Sequence, residues 1–499
     1  MLFSCIFSQI AEIQLGSFQE NSYLQLLLDW RRQQGYEVTL VDESESLGGV
    51  CLQRGCIPSK ALLHIAGLMK KTRQAKEWGI NFNNPDINIE RLRDWKEGKI
   101  VVQNHYNYSD FSHLDFRWEI HENGYLMGSD HFDVQKILAG ERQQVSVNFP
   151  ELNPKPGGEY FLTLRANSRH SDTVLPAGHE VAWDQFKLPI NSPTAAKAEK
   201  SGSVILHQGD SIITVTGDDF EIEFNRDAGS MTLFSYGGQN LILKGPLPNF
   251  WRAPTDNDLG NGMPQRTGIW KSAGKEMEVR LFQGEMKGEK GIVTIQREHM
   301  KSGTSTNSVY SVSGDGSVEI RHSFQVGSKE LPELPRIGMI FSLPGDFTEL
   351  KWYGRGPHES YWDRKTSAAV GLYSGTVWEQ TFRYVRPQET GNKTDVRWMS
   401  LSNGKVGLKV IGNPTFDGSV HYYLYEDLDH IPHSQRHGAI NIQPKDIVTW
   451  LVDYRQMGVG GDNSWGARTH SEYMLPAKDY EYSFTMKPFV VKKALVDEG

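Results

Sequence analysis

The sequence predicts a mainly β protein of stacked antiparallel sheets, led by an incomplete α/β segment. Three observations carry that expectation. Apolar and polar residues alternate with period two through most of the chain after about Lys99, Gly and Pro turn signals separate those runs, and the clearest amphipathic helical stretch falls before that point.

Before Lys99, residues 60–76 place Leu62, Leu63, Ile65, Ala66, Leu68 and Met69 at helical spacing. Past it, Phe116, Trp118 and Ile120 alternate with Arg117 and Glu119. The same pattern appears at Val145–Phe149, Phe220–Phe224, Val318–Val326 and Tyr480–Met486. Period two puts one face of a strand on a core and the other in water, as antiparallel sandwiches require. Turns are expected at Pro154–Gly158, Asp227–Gly229, Gly237–Gly238 and Gly314–Gly316. A Pro/Ala/Lys-rich stretch divides the β region, which gives four expected parts. These are an incomplete α/β segment over 1–98, a sandwich of immunoglobulin-like size over 99–190, a linker over 191–203 and a larger sandwich over 204–492.

The 499 residues carry 53 Lys and Arg against 61 Asp and Glu, a net charge of -8. That excludes an electrostatic nucleic-acid binder, which needs an excess of cations on one face. No apolar run reaches the ~20 residues that span a bilayer, so no membrane partner is expected. Met1 to Ile10 lacks the basic start of a signal peptide. The 3 cysteines are too few for a disulfide scaffold and fit a reducing compartment, so a cytoplasmic protein is expected. The 13 Trp and 19 Tyr suit sugar-binding surfaces and sandwich cores alike.

The run Gly48-Gly49-Val50-Cys51-Leu52-Gln53-Arg54-Gly55-Cys56-Ile57-Pro58-Ser59-Lys60 is specific. It resembles the redox-active disulfide of flavin-dependent disulfide oxidoreductases, dihydrolipoamide dehydrogenase most closely. The resemblance implies Cys51 and Cys56 as the redox pair and Asp42 as the carboxylate that holds the ribose of FAD. A glycine-rich phosphate loop should precede Tyr36, yet Gly16 is the one glycine in residues 1–34. The pair and Asp42 are therefore read as vestigial, FAD is not expected, and the segment is not expected to fold independently.

Ordered motifs then accumulate: Gly178–Phe186, Trp251-Arg252-Ala253-Pro254-Thr255-Asp256-Asn257-Asp258, Trp352–Arg364, Arg386–Glu389 with Thr394–Trp398, and Gly458–Trp465. Together they resemble the last two domains of glycoside hydrolase family 2 β-galactosidases, the larger one resembling the small chain of the two-chain enzymes. The resemblance implies an immunoglobulin-like sandwich followed by a galactose-mutarotase-like supersandwich. It implies a β-galactoside as the sugar, with Trp465, Asp462 and Asn463 at the substrate. An indole offers a flat face to the apolar C–H side of a pyranose. It implies no catalytic residue here, because the two carboxylates of a retaining glycosidase come from a (β/α)8 barrel, and no stretch of this sequence alternates strands and helices at barrel length. The partner implied is a catalytic β-galactosidase chain or further copies of this chain. Mg and Na are expected only for the complete enzyme, and this chain is expected to hold no metal.

Bland readings stand beside these. Asp256, Asn257 and Asp258 can bond backbone groups in a tight loop. Arg355, Glu359, Asp363 and Arg364 fit an internal charge network. Gln388, Glu389 and Asp395 can face sugar or a neighbouring subunit. His430, His433 and His437 share metal-like spacing, but Pro432 interrupts any regular helix. A non-catalytic sugar- or protein-binding module, or a fusion remnant, is the alternative function.

Overall fold

The structure is a computed structural model. It describes residues 99–491 apart from 135–136, 148–151, 153, 189, 191–201, 329, 430–441 and 464–465, together with a two-residue parallel pair, Ile13–Gln14 with Leu40–Val41. Asp42, Cys51, Cys56 and the helix expected over 60–76 lie outside the described residues. So do Trp465, His430, His433 and His437. The chain divides into two compact units: Met1–Phe116 with His131–Phe149 and Ala166–Val181, and Arg117–Asp130 with Pro150–Arg165 and Ala182–Gly499.

In the first unit, Lys99–Gln103 pairs antiparallel with Arg142–Ser146, setting Ile100 opposite Val145, both buried. The buried Asn104 ties the end of that strand to its surroundings. Its Nδ2 donates to Ser109 O at 2.9 Å and Ile137 O at 3.0 Å, and its Oδ1 accepts from Tyr106 N at 2.9 Å. A buried amide is tolerated because its donors and acceptor all find partners.

In the second unit, Glu159 is held by four donors. Arg397 binds it through Nε at 2.8 Å and Nη2 at 2.6 Å, Tyr353 OH at 2.8 Å and Lys187 Nζ at 2.7 Å. Burial works against its charge, but these donors outweigh it and hold its carboxyl down to about 2.

Besides strands of a smaller four-stranded sheet, that unit holds two large antiparallel sheets. One has five strands, beginning with Ile205–Gln208, Ile212–Thr216, Phe220–Asn225 and Ser230–Tyr236. Phe220, Ile222 and Phe224 point inward and Glu221 outward, as the alternation predicts. The other has twelve strands. Its middle is Ile447–Gln456, Val406–His421 and Tyr480–Val490, and one arm runs on through Val318–Gln325, Thr304–Val312 and Lys290–His299. Phe224, Tyr310, Phe341, Trp352 and Trp450 belong to one buried cluster that both sheets line. Burying several aromatic side chains of this size contributes roughly 1.5–3 kcal/mol each. The mainly β class is therefore observed. Among the described residues no helix is long and apolar enough to cross a membrane.

Candidate functional site

The Trp251–Asp258 motif runs from buried core to surface. The Trp251 and Arg252 side chains are fully buried. The sequence reads Asp256, Asn257 and Asp258 as a tight loop; they instead open a short helix, Asp256–Gly260. Thr255 is its N-cap: Oγ1 accepts from Asp258 N at 3.1 Å, and Thr255 N donates back to Asp258 Oδ2 at 3.0 Å. This capping box satisfies two orphan donors reciprocally, and it turns a polar loop into a helix start.

Asp258 has a second role. Arg252 donates to it through Nε at 3.0 Å and Nη2 at 2.9 Å, a two-pronged pair. The same guanidinium reaches across about two hundred residues of sequence, to Met457 O at 2.5 Å and Gly458 O at 2.9 Å. Those two carbonyls stand where the chain enters the glycine-rich segment 458–466.

Two further side chains grip that segment. Asp363 accepts from Val459 N at 3.0 Å and Gly460 N at 2.7 Å, with Thr469 Oγ1 at 3.4 Å. Asn257 Nδ2 donates to Val459 O at 3.1 Å. Gly458 is required by this close approach: a Cβ there would lie 2.5 Å from Thr469 Oγ1 and 2.7 Å from the Asp363 carboxylate. The root of the segment is thus fixed by Arg252, Asn257 and Asp363. Farther out, Asp462 Oδ1 pairs with His470 Nε2 at 2.9 Å, and Asn463 Oδ1 accepts from Ala467 N at 3.4 Å. Asp462 is exposed.

A cleft opens beside this root, lined by Thr255, Asp256, Asn257, Tyr361, Arg364, Tyr384, Gln388, Glu389 and Val459. On its rim Gln388 Nε2 donates to Asp256 Oδ2 at 3.2 Å, and Arg386 Nη1 pairs with Asp256 Oδ1 at 2.7 Å. Burial raises Tyr384 to about 12, helped by its hydrogen bond to Glu359. It stays a protonated donor at neutral pH.

The charged set read as one network is three. Arg355 and Lys365 grip Asp395, which sits at φ 52. Burial alone would raise Asp395, but those two cations hold it below the usual carboxylate range. Glu359 takes Tyr384 OH, Thr390 Oγ1 and Gly391 N. Asp363 serves the glycine-rich segment. Arg355 stands on the strand Glu349–Gly356 while Glu359 and Asp363 lie in the loop that follows, so mixed-charge spacing does not give their pairing.

Glu389 is a buried support: Arg336 Nη2 reaches it at 3.0 Å and Gln456 Nε2 at 3.1 Å. Arg336 Nε lies 3.0 Å from Asp453 Oδ2 as an ion pair, yet off the line of a hydrogen bond. Sequence reasoning missed Arg336, Asp453 and Gln456. All three sit among apolar strand residues, and a charge in an apolar run was the signal available. Among the described residues no group of three or more His, Cys, Asp or Glu could hold a metal ion.

Fold and site define a large antiparallel β-sandwich domain with a rigidly rooted, glycine-rich loop beside a polar cleft. The family described as Beta galactosidase small chain matches residues 216–486, and the chain belongs to that family. Beta-galactosidase, domain 4, matches residues 100–189, so the two matches leave residues 1–99 uncovered. Similar proteins include the β-galactosidases of Priestia megaterium (35% identity over 79% of this chain and 38% of the relative), Halalkalibacterium halodurans (29%, over 80% and 39%) and Streptococcus thermophilus (31%, over 79% and 37%). The chain therefore spans well under half the length of each of these relatives. The galactose 1-epimerase of Lactobacillus acidophilus aligns with 59% of this chain and 100% of its own, at 10% identity and a TM-score of 0.33, a likeness on which nothing further rests.

Proposed function

We propose that this chain is the carboxy-terminal portion of a β-galactosidase, which hydrolyses terminal non-reducing β-galactosides such as lactose. In this reading it builds the rim of the active site, while another polypeptide segment supplies the two carboxylates that a retaining glycosidase needs about 5–5.5 Å apart. The observation that carries the reading is the triple grip of Arg252, Asn257 and Asp363 on residues 457–460. A loop that must meet a sugar gains from a fixed root, because ordering it on binding would cost conformational entropy. Asp462 and Asn463 lie on that loop, and the sequence places Trp465 two residues beyond. The expected role of Trp465 is to stack on the galactose ring, with Asp462 and Asn463 as polar neighbours. Mg and Na belong to the catalytic portion, and no step here runs through them. Cys51, Cys56 and Asp42 have no role in this reading.

The test is complementation. The full chain is mixed with the Priestia megaterium relative truncated before its matching region, and hydrolysis of a chromogenic galactoside is followed. Activity that needs both proteins and falls at least about tenfold with Trp465→Ala is expected. Inactivity in every mixture, with both proteins folded, would overturn the reading in favour of a non-catalytic binding module.

A further inference from the structure

Arg297 stands on Lys290–His299 at the inward parity of Val293 and Ile295, and it is 2% exposed. Its Nη1 donates to Ser308 Oγ at 3.2 Å, while Nε and Nη2 have no hydrogen-bond partner. Among the described residues no carboxylate pairs with it. A guanidinium cannot shed its proton to escape this, so the site carries a fixed, uncompensated positive charge. Burial does disfavour that charge, with Tyr310 partly offsetting it.

Beside Arg297 lies a solvent-open cavity. Its charged lining is Arg226, Lys244, Lys275 and Arg297 against Asp227 and Glu278. Glu278 is paired with Arg280 at 3.1 Å and Lys275 with Glu426. Arg226 and Lys244 are exposed, and neither makes a salt bridge among the described residues. The turn at Gly229 (φ +60) covers the buried guanidinium closely: a Cβ there would lie 3.2 Å from Arg297 Nε and 3.0 Å from Val279 Cγ2. With Lys275 and Glu278 paired elsewhere, Arg226 and Lys244 outnumber the one remaining carboxylate, Asp227, at the surface, and Arg297 adds a further cation just behind it. A buried charge is screened by salt far less than an exposed one.

We propose that this cavity binds a phosphoryl group, free or carried on a small molecule, with Arg226 and Lys244 contacting its oxygens and Arg297 supplying a buried countercharge behind the Gly229 turn. A phosphate carries up to two negative charges and offers several acceptor oxygens, which matches cations grouped without internal partners. The site is separate from the glycine-rich loop, so it stands or falls independently of the galactosidase reading.

The test is titration calorimetry on the full chain at constant ionic strength, with inorganic phosphate, a hexose 6-phosphate and the neutral hexose as probes. Saturable phosphate binding is expected, weakened about tenfold or more in the double variant Arg226→Gln, Lys244→Gln. Both changes are at the surface and leave the core intact. Tighter binding of the hexose phosphate identifies a carried phosphoryl group, and equal binding identifies the free ion. No saturation by either phosphate up to about 20 mM, weaker than any useful site, would overturn the proposal. So would affinity unchanged in the double variant, or equal binding of the neutral hexose.

Discussion

Arg252 and Arg297 are buried arginines of the same unit, and their surroundings answer the same problem in opposite ways. Arg252 directs donors to two carboxylate oxygens and two carbonyls, all between 2.5 and 3.0 Å. Arg297 has one hydroxyl partner and two idle nitrogens. Desolvating a guanidinium costs several kcal/mol, and only well-aimed acceptors recover it. Arg252 recovers it and in doing so fastens a distant loop. Arg297 does not, and its cost persists in a part of the fold that opens onto a cavity.

The comparison breaks most sharply at Asp258. Asp258→Ala removes both carboxylate bonds from Arg252 and the carboxylate half of the capping box of Asp256–Gly260 together. Taking one partner from a buried pair costs about 3–5 kcal/mol, since the other charge is left stranded. For a domain of this size that lowers Tm by roughly 6–20 °C. Ser308→Ala removes the single partner of Arg297 and also the bond between Ser308 Oγ and the buried His322 Nδ1, and should cost less, about 1–3 kcal/mol. Thermal unfolding of the two variants side by side checks this, and equal losses would erase the distinction between the two sites.

Carboxylates sharpen the contrast through pH. Glu159, held down to about 2 by Arg397, Lys187 and Tyr353 despite its burial, sits below its ordinary 4.5. Its contribution is full above about pH 4.5 and is lost as pH falls toward 2. Asp417 is buried with its carboxyl pushed up to about 7 from 3.8, chiefly by that burial. Its sign is opposite: the folded state binds the proton more tightly, so stability is lost as pH rises from about 4 through 7. Glu159→Gln should flatten the acid limb of a Tm-against-pH curve by several degrees. Asp417→Asn should raise Tm at pH 8 relative to wild type and leave pH 4 nearly unchanged. A uniform shift across pH for either variant would contradict the assignment.

The sheets were legible because alternation is a local signal. Phe220, Ile222 and Phe224 announce their face without reference to any other strand, and Val318, Ile320, His322 and Phe324 announce theirs. The site was legible only as a set of motifs. Trp251–Asp258 and Gly458–Trp465 stand out in the sequence, but nothing local states that Arg252 reaches Met457 and Gly458. That pairing is made by the sheet, which carries both segments to one end. Arg297 went unread although its signal is local. Val293, Ile295 and Arg297 share a parity, and that alternation puts an arginine on the inward face.

Asp363 is the next test, because it separates fixing a loop from binding a ligand. Asp363→Asn keeps the shape but loses the charge that strengthens its bonds to Val459 N and Gly460 N. A charge-assisted bond is about twice as strong as a neutral one, so a loss of about 1–2 kcal/mol is expected. The loss should be confined to the loop: faster amide exchange at residues 458–463, with little change in Tm. In the complementation assay it should raise KM several-fold and leave kcat close to its starting value. Unchanged exchange would show that the loop is fixed without Asp363.

The smallest effect lies at the outer end of the same loop. His470 and Asp462 are paired at 2.9 Å, but their side chains are 51% and 65% exposed. An exposed pair gains little, because water and salt screen it and two side chains must be held in one geometry. His470→Ala should therefore change stability by about 0–1 kcal/mol, a Tm shift near the limit of measurement. The value of the variant is where that small effect appears. If the loop is set by its buried root, exchange at Val459 and Gly460 stays at the wild-type rate after the outer pair is cut. Faster exchange there would mean that the exposed pair holds the loop and the buried root does not.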